Sequence, residues 1–232
     1  MGRAAKVDRV RNDFVKRISA AEKLVLAVRP LAAVKGAGTG STLHVENVGQ
    51  IIELAFLGLC AQWETFLEDS MVRFLAGAKP SGGNAPHLRI GRCSDLTHAY
   101  QVLSGKPTYD PSSDYMSWTS PNTVIDRAKV FFKSGEPYAS KITQCRDELK
   151  RAVLLRNRIA HSSEKCIHDF KLAANHYLAP KSVTQGYRVA DLLGTPQTKN
   201  FAFLAAPAAG VARDYFLAHA DMFRHLAQTI VP

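Results

Sequence analysis

Leu149-Lys150-Arg151-Ala152-Val153-Leu154-Leu155-Arg156-Asn157-Arg158-Ile159-Ala160-His161-Ser162-Ser163 decides the reading of this chain. Gly and Pro are absent from it, and its Leu, Ala, Lys and Arg lose little side-chain freedom in a helix. At about 100° per residue, Ile142, Cys145, Leu149, Ala152, Val153, Ile159 and Ala160 share one arc, with Arg156 in its middle. A guanidinium on an apolar stripe loses hydration. Arg156 must therefore snorkel, pair with a carboxylate or face a cleft that takes an anion. Arg146, Lys150, Asn157 and His161 form a neighbouring arc. Periodicity weakens at Ser162-Ser163-Glu164-Lys165, so His161 is expected in the last helical turn, where the helix dipole favours a cation. Histidine titrates nearest neutral pH, and an imidazole near two arginines and an amide suits phosphate chemistry. Arg156 and His161 stand about 140° apart on the helix. They converge on one ligand through the reach of Arg156, through loosening of the helix end, or through a second subunit. The plain alternative is an arginine-rich helix end capped by a histidine.

Arg156-Asn157-Arg158-Ile159-Ala160-His161 resembles the R-x(4–6)-H signature of HEPN domains, including the polar residue straight after the arginine. Leu57-Gly58-Leu59-Cys60-Ala61-Gln62-Trp63-Glu64-Thr65-Phe66-Leu67-Glu68 is similar to the long second helix of the RiboL-PSP type of that family. Ser117-Trp118-Thr119-Ser120-Pro121-Asn122 is similar to the start of the helix before the motif helix. The resemblance spans roughly residues 45–165. It implies an all-α, HEPN-like helical bundle and a metal-independent endoribonuclease, with no cofactor, acting as a homodimer whose two motifs build one composite site. Under that implication His161 is the general acid or base, Arg156 stabilises phosphoryl charge, and Asn157 orients either His161 or the phosphate. Lys150 and Arg158 hold flanking phosphates. Apart from the resemblance, Glu64 interrupts the apolar middle of its helix, so it either pairs with Arg156, as a counter-ion or to position it over substrate, or is a surface glutamate. A toxin, an antiphage effector or an RNA-processing factor, with an antitoxin or other regulatory protein as partner, is the setting implied. The alternatives are a non-catalytic HEPN-like module that binds RNA, a nucleotide or a protein, and a helical DNA-binding regulator suggested by charge alone.

The rest of the chain bounds these readings. Its 232 residues are expected to form one helical domain over 1–232, long enough for a substantial core. Thirty Lys and Arg against twenty Asp and Glu give a formal +10, which favours a polyanionic partner such as RNA without establishing one. The basic residues are spread out rather than gathered into a disordered arm. No stretch approaches ~18 apolar residues, so no membrane span is expected. Met1-Gly2-Arg3-Ala4-Ala5-Lys6 lacks an apolar signal region, and Lys6 stands where a myristoylation site needs Ser or Thr. Cys60, Cys93, Cys145 and Cys166 form no C-x-x-C pair and no zinc pattern, which fits a reduced, cytoplasmic setting.

Amphipathic spacing of Val7, Val10, Phe14, Ile18, Ala21 and Val25 predicts a first helix from Lys6 to about Lys35, kinked or ended at Pro30. A glycine-rich connector over residues 36–42 follows, without the G-K-[ST] ending of a phosphate loop. Val45 to Ala76 reads as a central helix, apolar on several sides including Leu54. Residues 77–120 read as a peripheral, irregular Gly/Pro/Ser-rich insertion with one short helix near Asp95 to Leu103. Arg89, Arg92, His98, Tyr100 and Tyr109 in that insertion could touch single-stranded nucleic acid. Ser120 and Pro121 start the next helix, Pro137 or Tyr138 opens the motif helix, and Cys166 to Tyr177 forms another. Gly186 to Thr195 reads as a turn or short extended pair, and Ala205 to Ile230 as a closing helix. His176, His219 and His225 have no ligand partners in a metal pattern, so surface or core roles are expected.

Overall fold

The computed structural model describes residues 6–32, 43–204 and 213–232. The connector over 36–42 and the Gly2 site lie outside those residues. The helices are α1 (Val7–Val28), α2 (Val45–Leu75), α3 (Leu96–Ser104), α4 (Pro121–Phe131), α5 (Tyr138–Gln144), α6 (Arg146–Ala160), α7 (Glu164–Leu178), α8 (Val189–Leu193) and α9 (Tyr215–Ile230). The protein is all-α: among the described residues extended pairing is limited to isolated bridges such as Leu88 with Phe132.

Most helix ends follow local chemistry. Pro30 turns the end of α1 into a single 3-10 turn, because it has no N–H to continue the ladder. Asp95 caps α3 by accepting from the His98 N–H, and Gly105 closes it in the left-handed conformation at φ 69°. Ser120 and Ser163 cap α4 and α7 through the N–H groups of Thr123 and Cys166. Two expectations are corrected. The segment from Tyr138 to Ala160 is two helices, broken at Cys145 (φ −110°, ψ 12°), with Asp147 and Glu148 opening the second where the dipole favours acids. Residues 189–193 are helical rather than extended, because the Arg188 N–H donates to Asp191 Oδ2 and Val189, Leu192 and Leu193 are buried.

The chain divides into two compact units, and α1, α2, α6 and α9 each contribute residues to both. The first unit comprises residues up to 16, 62–149 and 224–232. Its core stacks Phe14 on Phe66 at 5.2 Å and Trp63 on Phe66 at 5.5 Å. A second cluster packs Tyr138 against Phe132 and Phe74, with a buried hydrogen bond of 2.9 Å between the Tyr138 and Ser70 hydroxyls. Residues 77–120 are exposed over most of their length but send several side chains into the core. Cys93, Leu103, Tyr109, Met116 and Trp118 are buried in this unit, at roughly 1.5–3 kcal/mol for each large apolar side chain removed from water.

The second unit comprises residues 17–61 and 150–223. Its centre is aromatic: Tyr177 lies 4.6 Å from Tyr215, and His219 packs edge-on against Phe56, Phe201 and Tyr177. Arg29 pairs with Asp214, which also caps α9 by accepting from the Leu217 N–H. Leu54, expected on an apolar face of α2, is instead 63% exposed. No helix among the described residues is long and apolar enough to cross a membrane.

Candidate functional site

The candidate site lies at the C-terminal end of α6. Leu149, Ala152 and Leu155 are buried, but the stripe fades after Leu155: Arg156, Asn157, Arg158 and Ile159 are half-buried and Ala160 is exposed. Ile142 and Cys145 cannot be projected onto this helix, since the break at Cys145 resets the register. The Arg156 guanidinium therefore sits where apolar packing gives way to solvent. Its Nη1 donates to Asn157 Oδ1 at 3.1 Å, which leaves most of its five N–H groups for other acceptors.

His161 follows directly on α6, its N–H donating to the Asn157 carbonyl at 2.9 Å. Arg158 Nη1 reaches the His161 carbonyl oxygen at 3.3 Å, closing an otherwise open helix end. Two residues on, Ser163 starts α7, so His161 and Ser162 form a short exposed corner held from both sides. The imidazole is exposed and has no hydrogen-bond partner among the described residues. Lys150, about three turns before His161, is also exposed. The sequence-named residues on α6 thus gather an imidazole, two guanidiniums and an amide within two turns. Arg158 braces the histidine's backbone instead of standing free for phosphate, and Asn157 orients Arg156 rather than the imidazole.

Glu64, on α2, belongs to the first unit. Its carboxylate accepts from Tyr115 Oη at 3.1 Å and Thr119 Oγ1 at 3.3 Å, both within the first unit. One turn on, Glu68 accepts from the Trp118 indole N–H at 2.5 Å, and the Arg127 guanidinium lies 4.3 Å from the Trp118 ring centre. Burial pushes the Glu68 carboxyl above its usual range, partly offset by the indole hydrogen bond. The two carboxylates fasten residues 115–119 to α2. Neither Glu68 nor Arg127 was singled out in the sequence, although the four-residue spacing of Glu64 and Glu68 places them on one helix face.

Of the residues of 77–120 expected to meet nucleic acid, Arg89, Arg92 and His98 are exposed, Tyr100 is half-buried and Tyr109 is buried. Tyr109 is buried and stacked on Tyr100 at 5.9 Å, Arg92 Nε donates to the Ala76 carbonyl, and Arg89 Nη1 donates to the Lys129 carbonyl. His219 has a core role: it is fully buried and its Nδ1 lies 2.7 Å from the Tyr215 carbonyl. Among the described residues no group of three or more His, Cys, Asp or Glu side chains is placed to hold a metal.

Comparison with known proteins finds no family model that matches the chain, and no curated protein or solved structure significantly similar to it.

Proposed function

We propose that the protein is a metal-independent endoribonuclease with an HEPN-like helical bundle, acting through Arg156, Asn157 and His161. One observation carries this reading: an exposed imidazole without a partner stands at the end of α6, five residues from a half-buried guanidinium with donors to spare. His161 removes the proton from a ribose 2′-hydroxyl, or delivers one to the departing 5′-oxygen. The 2′-oxygen attacks the adjacent phosphorus and the 5′-oxygen leaves with its bonding pair, giving a 2′,3′-cyclic phosphate. Arg156 stabilises the charge that grows on the phosphoryl oxygens. Arg158 holds the backbone that carries His161, and Lys150 attracts a neighbouring phosphate without reading sequence. RNA is the substrate because the nucleophile is the 2′-hydroxyl.

One imidazole cannot both take and give a proton in one concerted step. The reading therefore includes a homodimer in which a second copy brings its own Arg156 and His161 to the same phosphate. An antitoxin or other regulatory protein would act by covering that corner.

The test is incubation of the purified chain with single-stranded RNA in excess chelator, beside His161→Ala and Arg156→Ala. Cleavage by wild type at least 100-fold faster than by His161→Ala, with cyclic-phosphate ends, supports the enzyme. A specific observation favours a second reading: Asn157 is turned to Arg156, which leaves His161 without an orienting side chain. A non-catalytic HEPN-like module would bind RNA, a nucleotide or a protein through the same basic corner. RNA binding without cleavage, weakened by Arg156→Ala and indifferent to His161→Ala, would establish that module and refute the nuclease.

A further inference from the structure

A cleft of about 380 Å³ opens in the first unit, remote in sequence from the end of α6 and sharing no residue with it. Its size falls within the roughly 300–1,000 Å³ of small-molecule sites. On one side the Lys133 N–H donates to the His87 carbonyl and the Arg89 N–H to the Phe131 carbonyl, both at 2.8 Å. On another the chain turns through Ser134 and Gly135, at φ 58° and 74°. A side chain at Gly135 would come within 2.8 Å of Ala139 Cβ, so the turn is tightly fitted. Ser134 has no such excuse. A non-glycine residue held in the left-handed region recurs where structure is fixed for binding.

Lys133 and Glu136, on either side of this turn, both line the cleft. They carry opposite charges, yet among the described residues neither makes an ion pair with the other or with any third group. Glu136 Oε2 accepts from Ser140 Oγ at 2.6 Å, which steadies the carboxylate and leaves Oε1 without a partner. Pro86, Pro137 and Ile230 supply apolar lining beside these two charges.

We infer that the cleft binds a small zwitterion with an apolar side chain, of the α-amino acid class. Its carboxylate meets Lys133, its ammonium meets Glu136, and its side chain lies against Pro86, Pro137 and Ile230. The ligand's two charges bridge two protein charges that do not reach each other. A phosphate would satisfy Lys133 but bring like charge against Glu136, and a wholly apolar ligand would desolvate both groups without compensation.

Isothermal titration of the full chain tests this, with L-leucine as probe, L-leucinamide and 4-methylpentanoate as analogues lacking one charge, and adenosine monophosphate as rival. The expected result is that leucine binds and that each analogue binds about tenfold more weakly or worse. Lys133→Met and Glu136→Gln should each weaken leucine by a similar factor. Both positions are exposed, so thermal unfolding should stay at the wild-type midpoint, and the analogue series on wild type holds even if a variant is unstable. The proposal is overturned if leucine gives no heat at millimolar concentration, if leucine and leucinamide bind alike, or if the nucleotide binds in leucine's place. None of these results bears on the nuclease reading.

Discussion

His219 makes the stability of the second unit depend on acid, with a size that follows from its surroundings. A carbonyl oxygen only accepts, so the 2.7 Å contact with Tyr215 fixes the proton on Nδ1 and leaves Nε2 as the acceptor. That nitrogen is buried with no hydrogen-bond partner, among the faces and edges of Phe56, Tyr177 and Phe201. Protonation would place a charge there with no acceptor and with the Arg151 cation nearby. Burial first, and Arg151 after the opposing Tyr215 hydrogen bond, bring the imidazole down from 6.5 to about 4. The folded protein thus binds this proton more weakly than the unfolded chain. Above the unfolded value the group has no effect. Between about pH 6.5 and 4 stability falls by about 1.4 kcal/mol per pH unit, roughly 3 kcal/mol in all, and below that range the loss levels off. His219→Phe keeps a ring in the aromatic cluster and removes the titration. Urea midpoints at half-unit steps from pH 7.5 to 4 should diverge from wild type with that slope, the variant gaining as the pH falls. Other groups titrate in this range, but they cancel in the difference. Parallel curves for the two proteins would refute the reasoning.

Three further outcomes are expected. Glu68→Ala strands the Trp118 indole N–H and should cost about 1–3 kcal/mol in urea unfolding followed by tryptophan fluorescence, whereas Glu68→Gln keeps an acceptor and should cost less than half as much. Tyr138→Phe leaves the buried Ser70 hydroxyl without its tyrosine partner and should cost about 1 kcal/mol, and adding Ser70→Ala should cost less than the sum of the single changes, as a double-mutant cycle would measure. Gly77→Ala puts a side chain at φ 83° and against the Arg92 side chain, so it should destabilise the fold by more than about 1 kcal/mol in urea unfolding.

How far the sequence could be read depended on the range of the physics involved. Asp95 at the start of α3, Ser120 and Pro121 at the start of α4 and Pro30 at the end of α1 act over three or four residues, and each was legible from its neighbours alone. The break at Cys145 was not: Leu149 through Ala160 and Tyr138 through Gln144 are each good helix, and no Gly or Pro marks the join. Projecting an apolar arc across that join put Ile142 and Cys145 in register with Ala160, which is exposed. The glycines, prolines and serines of residues 77–120 signal irregular backbone but do not tell which of its side chains turn inward. Trp118 is held by Glu68, fifty residues earlier on α2, a pairing that no local pattern encodes. Glu64 is a second case: it breaks an apolar stripe and so needs polar partners, but its charge alone does not tell that the hydroxyls of Tyr115 and Thr119 donate to it. At the end of α6 the relevant contacts are local again. Arg156 to Asn157 and Arg158 to the His161 carbonyl span one and three residues, so these residues are neighbours by sequence alone, while which acceptor each guanidinium takes needed coordinates.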